Sequence, residues 1–378
     1  MTFRILDAVA DAMAHLKTSD VAGATSTLRD TLMGGGVPAQ RATIGYPFNA
    51  PMARRLADVL KVLKARRGEF PSLMPRPTPK SRADDPHFTS RTLNSAWGTM
   101  NYKLYVPEHR AREPALVLML HGCTQDPDDF ARGTRMNRLA DEFGLIVAYP
   151  HQPRSANAQG CWNWFDRRHQ SAGSGEPAML AALAQTVSVE FGIAPERVFA
   201  AGLSAGAAMA DVLAEAYPEV FSRVGLHSGM PHLAAHDVMS AFAAMKGGGK
   251  AGRRGAAGRA SRKIIIHGTA DSTVHPSNSD EIFERMRARV GASSIILTND
   301  KTAGRKVTRQ VLIGPMGEAL AEHLLIEGGG HAWSGGDGGG SYADPVGPDA
   351  SREIVEFFLR DFDTRSQERS TEAIGSSP

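Results

Sequence analysis

Three residues with the chemistry for acyl transfer stand at the ends of three apolar runs. Ser204 follows Arg197-Val-Phe-Ala-Ala-Gly202-Leu203 and precedes Ala205-Gly206, Asp271 follows Lys263-Ile-Ile-Ile-His267-Gly268-Thr269-Ala270, and His331 follows His323-Leu-Leu-Ile-Glu327-Gly-Gly-Gly330. A serine hydroxyl is a weak nucleophile until a neighbouring base takes its proton, and the base needs an acid to orient it. Gly-x-Ser-x-Gly between a β-type run and a small-residue helix is the sequence of a nucleophile elbow, a turn tight enough to need residues without Cβ. Thirteen histidines occur in the chain. His331 stands apart because it follows the last strand-like run and its glycines let the loop reach Ser204. Asp280 is the alternative acid, but it falls inside the next helix and points away.

An oxyanion would need two donors. The N–H of Ala205 sits at a helix N-terminus, where free amides and the helix dipole favour negative charge. The second is expected from the loop after Ala115-Leu-Val-Leu-Met-Leu-His121-Gly122, with the Cys123 N–H as the natural donor. Cys123 as a thiol nucleophile is the weaker reading, since no separately placed histidine and acid serve it. A Cys123–Cys161 bridge would tie this loop to Cys161-Trp162-Asn163-Trp164-Phe165; the residues leave it open. Trp162 and Trp333, next to these loops, are expected to contact substrate, although core packing is the common use of such aromatics.

The elements that must position these residues alternate. β-type runs occur at 100–106, 115–121, 145–149, 197–203, 223–227, 263–267 and 323–327, and helical patterns at 130–142, 176–191, 204–217, 277–291 and 349–362. Such alternation predicts an α/β fold with a mostly parallel, doubly wound sheet, whose chemistry gathers at the carboxyl ends of the strands. A hairpin, 293–298 with 306–313, interrupts the alternation before the last strand. Residues 1–35 read as a small helical hairpin, 36–87 as a Pro-rich linker or extended wrap, 88–362 as the catalytic domain, and 363–378 as a disordered polar tail.

The chain has 378 residues, 42% hydrophobic and 22% charged, with a net charge of +3. That composition is ordinary for a globular protein and long enough for a core without staples. Seven Lys or Arg and no acid lie in KGGGKAGRRGAAGRASRK, 246–263, which reads as a solvated glycine-rich loop. It has no aromatics, so it is a poor nucleic-acid surface. No apolar run of about 18 residues exists to cross a membrane, and the N-terminus lacks an export signal, so a soluble, cytoplasmic protein is expected. Two cysteines are too few for a disulfide scaffold.

Five motifs in order, His121-Gly-Cys123-Thr-Gln125, Cys161-Trp-Asn-Trp164, Gly202-Leu-Ser204-Ala-Gly206, His267-Gly-Thr-Ala-Asp271 and Gly330-His331-Ala-Trp333, resemble the polyhydroxybutyrate-depolymerase-like esterases, a family with feruloyl and acetylxylan esterases among its members. The resemblance covers about residues 88–362. It implies an α/β-hydrolase fold, a Ser204–Asp271–His331 triad, backbone oxyanion donors at Cys123 and Ala205, and neither cofactor nor metal. The substrate it implies is a short-chain hydroxyalkanoate ester or oligomer, with feruloyl or acetylxylan esters as the alternative. A non-catalytic scaffold built on the same fold is the distant rival, and it would be expected to have lost a triad member. The expected partner is a small-molecule or oligomeric ester substrate, with neither nucleic acid nor membrane and with the oligomeric state left open; neither the hairpin at 1–35 nor the basic run falls within the resemblance.

Overall fold

The computed structural model describes residues 85–248, 260–291, 294–360 and 362. The expected helical hairpin, most of the linker, the middle of the basic run and the tail lie outside the described residues. In chain order the elements are β1 (Phe88–Ser95), β2 (Gly98–Tyr105), β3 (Leu116–Leu120), α1 (Pro127–Thr134), α2 (Met136–Phe143), β4 (Ile146–Pro150), α3 (Gly175–Phe191), β5 (Val198–Leu203), α4 (Ala205–Ala216), β6 (Arg223–His227), α5 (Val238–Met245), β7 (Arg262–Gly268), α6 (Ser277–Val290), β8 (Ser294–Thr302), β9 (Arg305–Ile313), β10 (Ala319–Ile326), β11 (Trp333–Ser334), β12 (Ala343–Asp344) and α7 (Ala350–Leu359). Ten strands form one sheet in the order β1-β2-β4-β3-β5-β6-β7-β10-β9-β8. The six strands from β4 to β10 run parallel, with antiparallel hairpins at both edges.

The central strands are buried on both faces, which is why they read as continuous apolar runs rather than alternating ones. Their side chains still alternate between two cores. Leu116, Leu118, Leu120, Val198, Ala200 and Ile265 pack on the side of α3, α4 and α6, where Leu180, Met209 and Phe283 lie. Val117, Met119, Phe199, Ala201, Ile264 and Ile266 pack on the other side, against α1, α2 and α7 through Phe130, Leu139 and Phe358. A period of two splitting one strand between two apolar layers is the doubly wound arrangement expected from the sequence.

Differences from the sequence pattern have local causes. The helix expected over 130–142 is two, because Arg135 adopts a left-handed conformation (φ 55°) that ends α1 and starts α2. Helix α5 was not expected; its sequence is apolar at seven of eight positions, so no helical alternation of apolar and polar residues marks it, and only Ala241 and Ala244 are buried. Strand β1 is mostly polar, with Leu93 its one fully buried residue, and it is held by pairing with β2 along its whole length. The basic run does not all belong to a loop: Arg262 and Lys263 begin β7.

Lys263 is 4% exposed, and its Nζ lies 2.6 Å from Asp211 Oδ1 and 2.7 Å from Glu215 Oε1 on α4. Burial alone would lower its pKa and raise that of Asp211, but the mutual attraction and the hydrogen bonds leave Lys263 raised and Asp211 lowered. A buried carboxylate that loses its partner is left uncompensated. Lys263→Ala is therefore expected to destabilise the fold by about 3–5 kcal/mol in urea unfolding, and a change below about 1 kcal/mol would contradict this reading.

Candidate active site

Ser204 links β5 to α4 with φ 57° and ψ −118°, outside the regions an L-residue ordinarily occupies. Surrounding contacts enforce that geometry. A Cβ on Gly206 would stand 2.0 Å from the Leu120 carbonyl oxygen, and one on Gly202 would stand 2.4 Å from the Gly206 carbonyl carbon. The backbone at the start of α4 is thus pressed against the end of β3, a contact open only to glycine. The Ser204 N–H donates to His227 O at 2.9 Å, which fixes the turn to the neighbouring strand.

The same contact sets the following loop beside the serine. A Cβ on Gly122 would be 3.7 Å from Ser204 Cβ, so the 121–125 turn runs alongside the nucleophile elbow. Gln125 holds that turn: its Oε1 accepts the Gly122 N–H at 2.9 Å, while its Nε2 donates to Asp129 Oδ2 and Ser341 O, each at 3.0 Å. Neither the Cys123 N–H nor the Ala205 N–H donates to any described residue. A free amide at Ala205, beside Ser204 at a helix N-terminus, and another at Cys123 in the adjoining turn are the kind of donors that could stabilise a developing oxyanion.

Cys123 and Cys161 form a disulfide, closing the alternative that the sequence left open. Cys161 is itself fixed. Gln152 Nε2 donates to its carbonyl at 3.0 Å and to the buried Glu176 at 2.6 Å, and Glu176 also accepts the Asn163 N–H at 2.8 Å. The network is indifferent to sequence distance: residues 123, 152, 161 and 176 come from four separate segments.

Asp271 and His331 are brought together by a second backbone crossing. A Cβ on Gly268 would lie 2.2 Å from Gly329 O, and Ala270 N–H donates to that same oxygen at 2.9 Å. His331 Nδ1 is 2.7 Å from Asp271 Oδ2, so Nε2 is the ring nitrogen left for another partner. Asp271 Oδ1 accepts the N–H groups of Thr273 and Val274 at 2.9 and 2.8 Å. Burial would push the Asp271 carboxyl up, but hydrogen bonds from His267 and His331 hold it well below the ordinary carboxylate range. Asp280 lies exposed in the first turn of α6, inside the helix where it was expected.

His267 has a role that sequence reasoning missed. Its Nε2 is 2.9 Å from Val274 O and 3.3 Å from Asp271 Oδ2. Both neighbours are acceptors, so in the neutral ring the proton belongs on Nε2, and the aspartate is gripped between two imidazoles. The signal was present: His267 ends a buried strand four residues before Asp271. His227 ties the remaining pieces together, since its carbonyl holds Ser204 and its Nε2 accepts the Ser334 N–H at 3.1 Å.

Trp162 and Trp333, expected to contact substrate, are both buried and hydrogen-bonded within the protein. Trp162 is fully buried with Nε1 donating to His121 O at 3.1 Å, and Trp333 is 1% exposed with Nε1 donating to Ser351 Oγ at 3.0 Å. Trp333 also stacks on His227, with ring centroids 5.2 Å apart. Both indoles brace the loops that carry His121 and His331.

Burial lowers the pKa of three histidines around the site, His121 to about 4, His227 to about 3 and His323 to about 4. An unfolded chain binds these protons near pH 6.5 and the folded one only at lower pH, so the stability they contribute is complete above about 6.5 and is lost as pH falls toward 3. The melting temperature is expected to decline steadily between pH 6.5 and 4 in calorimetry. A flat profile across that window would show that these rings are not held neutral.

Among the described residues no helix is long and apolar enough to cross a membrane, and no group of His, Cys, Asp and Glu is arranged to hold a metal ion. Residues 100–308, more than half of the chain, match the family model described as "Esterase PHB depolymerase". The chain is 30% identical over 245 residues to "Poly(3-hydroxyalkanoate) depolymerase C" of Paucimonas lemoignei, covering 62% of this chain and 58% of that protein. It is 31% identical over 205 residues to "Acetylxylan esterase A" of Talaromyces purpureogenus, covering 49% and 52%. The chain thus spans little more than half the length of these curated relatives. The solved structure "Acetyl xylan esterase from Aspergillus awamori" superposes with a TM-score of 0.53 at 22% identity over 64% of this chain and 94% of that one, which shows a shared fold. By sequence, with the α/β-hydrolase architecture in agreement, the chain belongs to the esterase PHB depolymerase family.

Proposed function

We propose that this chain is a carboxylic-ester hydrolase that works through an acyl-enzyme on Ser204. The observation that carries the reading is a strained serine at a helix N-terminus, flanked by unspent amides at Cys123 and Ala205, on the same sheet edge as the bonded Asp271–His331 pair. Ser204 Oγ attacks the ester carbonyl carbon while His331 Nε2 takes its proton. Asp271 holds the ring through Nδ1 and stabilises the imidazolium, and the two amides take the charge on the carbonyl oxygen. Collapse expels the alcohol, which takes the proton from His331, and water then attacks the acyl-enzyme by the same steps.

Short-chain hydroxyalkanoate esters and oligomers are the first substrate reading, supported by the matched family model and by the first of the relatives. Acetyl or feruloyl esters of a polysaccharide are the second. A specific feature favours it: a polar trough along the outward face of β2, where Thr99, Asn101 and Lys103 stand and whose groups suit hydroxyls.

Ser204→Ala is expected to lower kcat for p-nitrophenyl butyrate by at least about 10⁴-fold with the melting temperature preserved. Hydrolysis at the wild-type rate by this variant would remove Ser204 from the chemistry.

A further inference from the structure

The β1–β2 hairpin overruns β4 at the edge of the sheet where Ser204 lies. Strand pairing ends at Tyr102 opposite Pro150, after which Asn101 O accepts the His151 N–H at 2.9 Å, and the turn beyond carries Trp97 with its indole half exposed (47%). Along β2, Met100, Tyr102 and Leu104 enter the core while Thr99, Asn101 and Lys103 face outward. Side-chain hydrogen bonds from Thr92 to Asn101 (2.9 Å) and from Thr99 to Asn94 (3.0 Å) stiffen this polar face. Two cavities of about 380 and 510 Å³ open along it and share Asn101 and His151. The first reaches Trp97, and the second continues over Lys103 to Asp126 and Asp128 at the start of α1. Asp126 follows Cys123, the amide next to Ser204, by three residues.

We propose that this trough binds a hydroxyl-rich chain, a polysaccharide, and so holds the alcohol side of the ester. The proposal rests on the esterase reading for what the bound chain is presented to. Its chemistry comes from groups still unspent. Trp97 Nε1, Asn101 Nδ2, the ring nitrogens of His151 and the second carboxylate oxygens of Asp126 and Asp128 bond to no described residue, while Lys103 is already paired with Asp128 at 2.6 Å. Carboxylates need donors and amides need acceptors, and a hydroxyl is both. A polyester backbone offers acceptors only, so it would cover these carboxylates without satisfying them. An outward indole adds a flat apolar face for the C–H side of a sugar ring. From β2 to β5 is three strand spacings, about 14 Å, so an occupant must be a chain rather than a single ring to reach the serine.

The experiment is calorimetric titration of the full-length protein and of Trp97→Ala and Asn101→Ala with xylohexaose, xylobiose and a linear 3-hydroxybutyrate trimer, with p-nitrophenyl acetate turnover measured in parallel. Expected are binding of xylohexaose in preference to xylobiose, weakening by at least about tenfold in Trp97→Ala, and acetate ester turnover within about twofold of wild type, since Trp97 lies outside the chemistry. The proposal is overturned if xylohexaose does not bind at about 10 mM, if both variants bind it as the wild type does, or if the trimer binds equally with the same dependence on Trp97. Failure of the wild type to hydrolyse p-nitrophenyl acetate, with Trp97-dependent xylohexaose binding intact, would overturn the esterase reading and leave the trough standing.

Discussion

The site depends on a backbone contact: the start of α4 lies against the end of β3, with Gly206 packed on the Leu120 carbonyl and Gly202 packed beneath Gly206. A side chain at either glycine would push the helix away from the strand. That separation would move the 121–125 turn off Ser204 and point the Ala205 amide elsewhere. The contact also fixes the left-handed φ of Ser204, because the chain must reverse within one residue to connect a strand to a helix packed this closely. Ser204 and the Cys123 and Ala205 amides are therefore placed by main-chain sterics rather than by side-chain preference.

Asp271 and His331 are positioned by the same device, repeated two strands away. Gly268 lies on the Gly329 carbonyl, so the loops after β7 and β10 run together and Asp271 meets His331. Around these crossings the polar side chains act as clamps. Gln125 holds the turn of the amide donors, His267 holds Asp271, and His227 ties the elbow to the 333–334 segment. Charge is handled consistently: His121, His227 and His323 are held neutral by burial, while Asp271 stays ionised because two rings and two amides bond it. A carboxylate that keeps its charge under burial can stabilise an imidazolium when one forms.

Much of this was legible in the sequence because each candidate residue ends a run of buried strand residues, and parallel sheets gather their carboxyl ends at one edge. The order Ser204, Asp271, His331 could thus be read without coordinates. What stayed hidden were relations between segments. Nothing in Gln125 or Glu176 announces partners at Gly122 or Asn163, and the disulfide could be neither asserted nor denied from two cysteines. The burial of the tryptophans stayed hidden for a related reason. An aromatic beside a reactive loop can face the ligand or hold the loop, and only the burial and the indole hydrogen bonds of Trp162 and Trp333 distinguish the two. Strand β1 escaped notice because its polar outer residues mask a strand that pairing supports.

The central claim is that Ser204 alone is activated for covalent attack. The direct measurement is to inactivate the wild-type protein with a fluorophosphonate and locate the adduct by tandem mass spectrometry, with Ser204→Ala treated in parallel. One phosphonyl group on the peptide containing Gly202-Leu203-Ser204-Ala205-Gly206, absent from the variant, is the expected result. An unlabelled wild-type protein, or label on another residue that persists in the variant, would contradict the account.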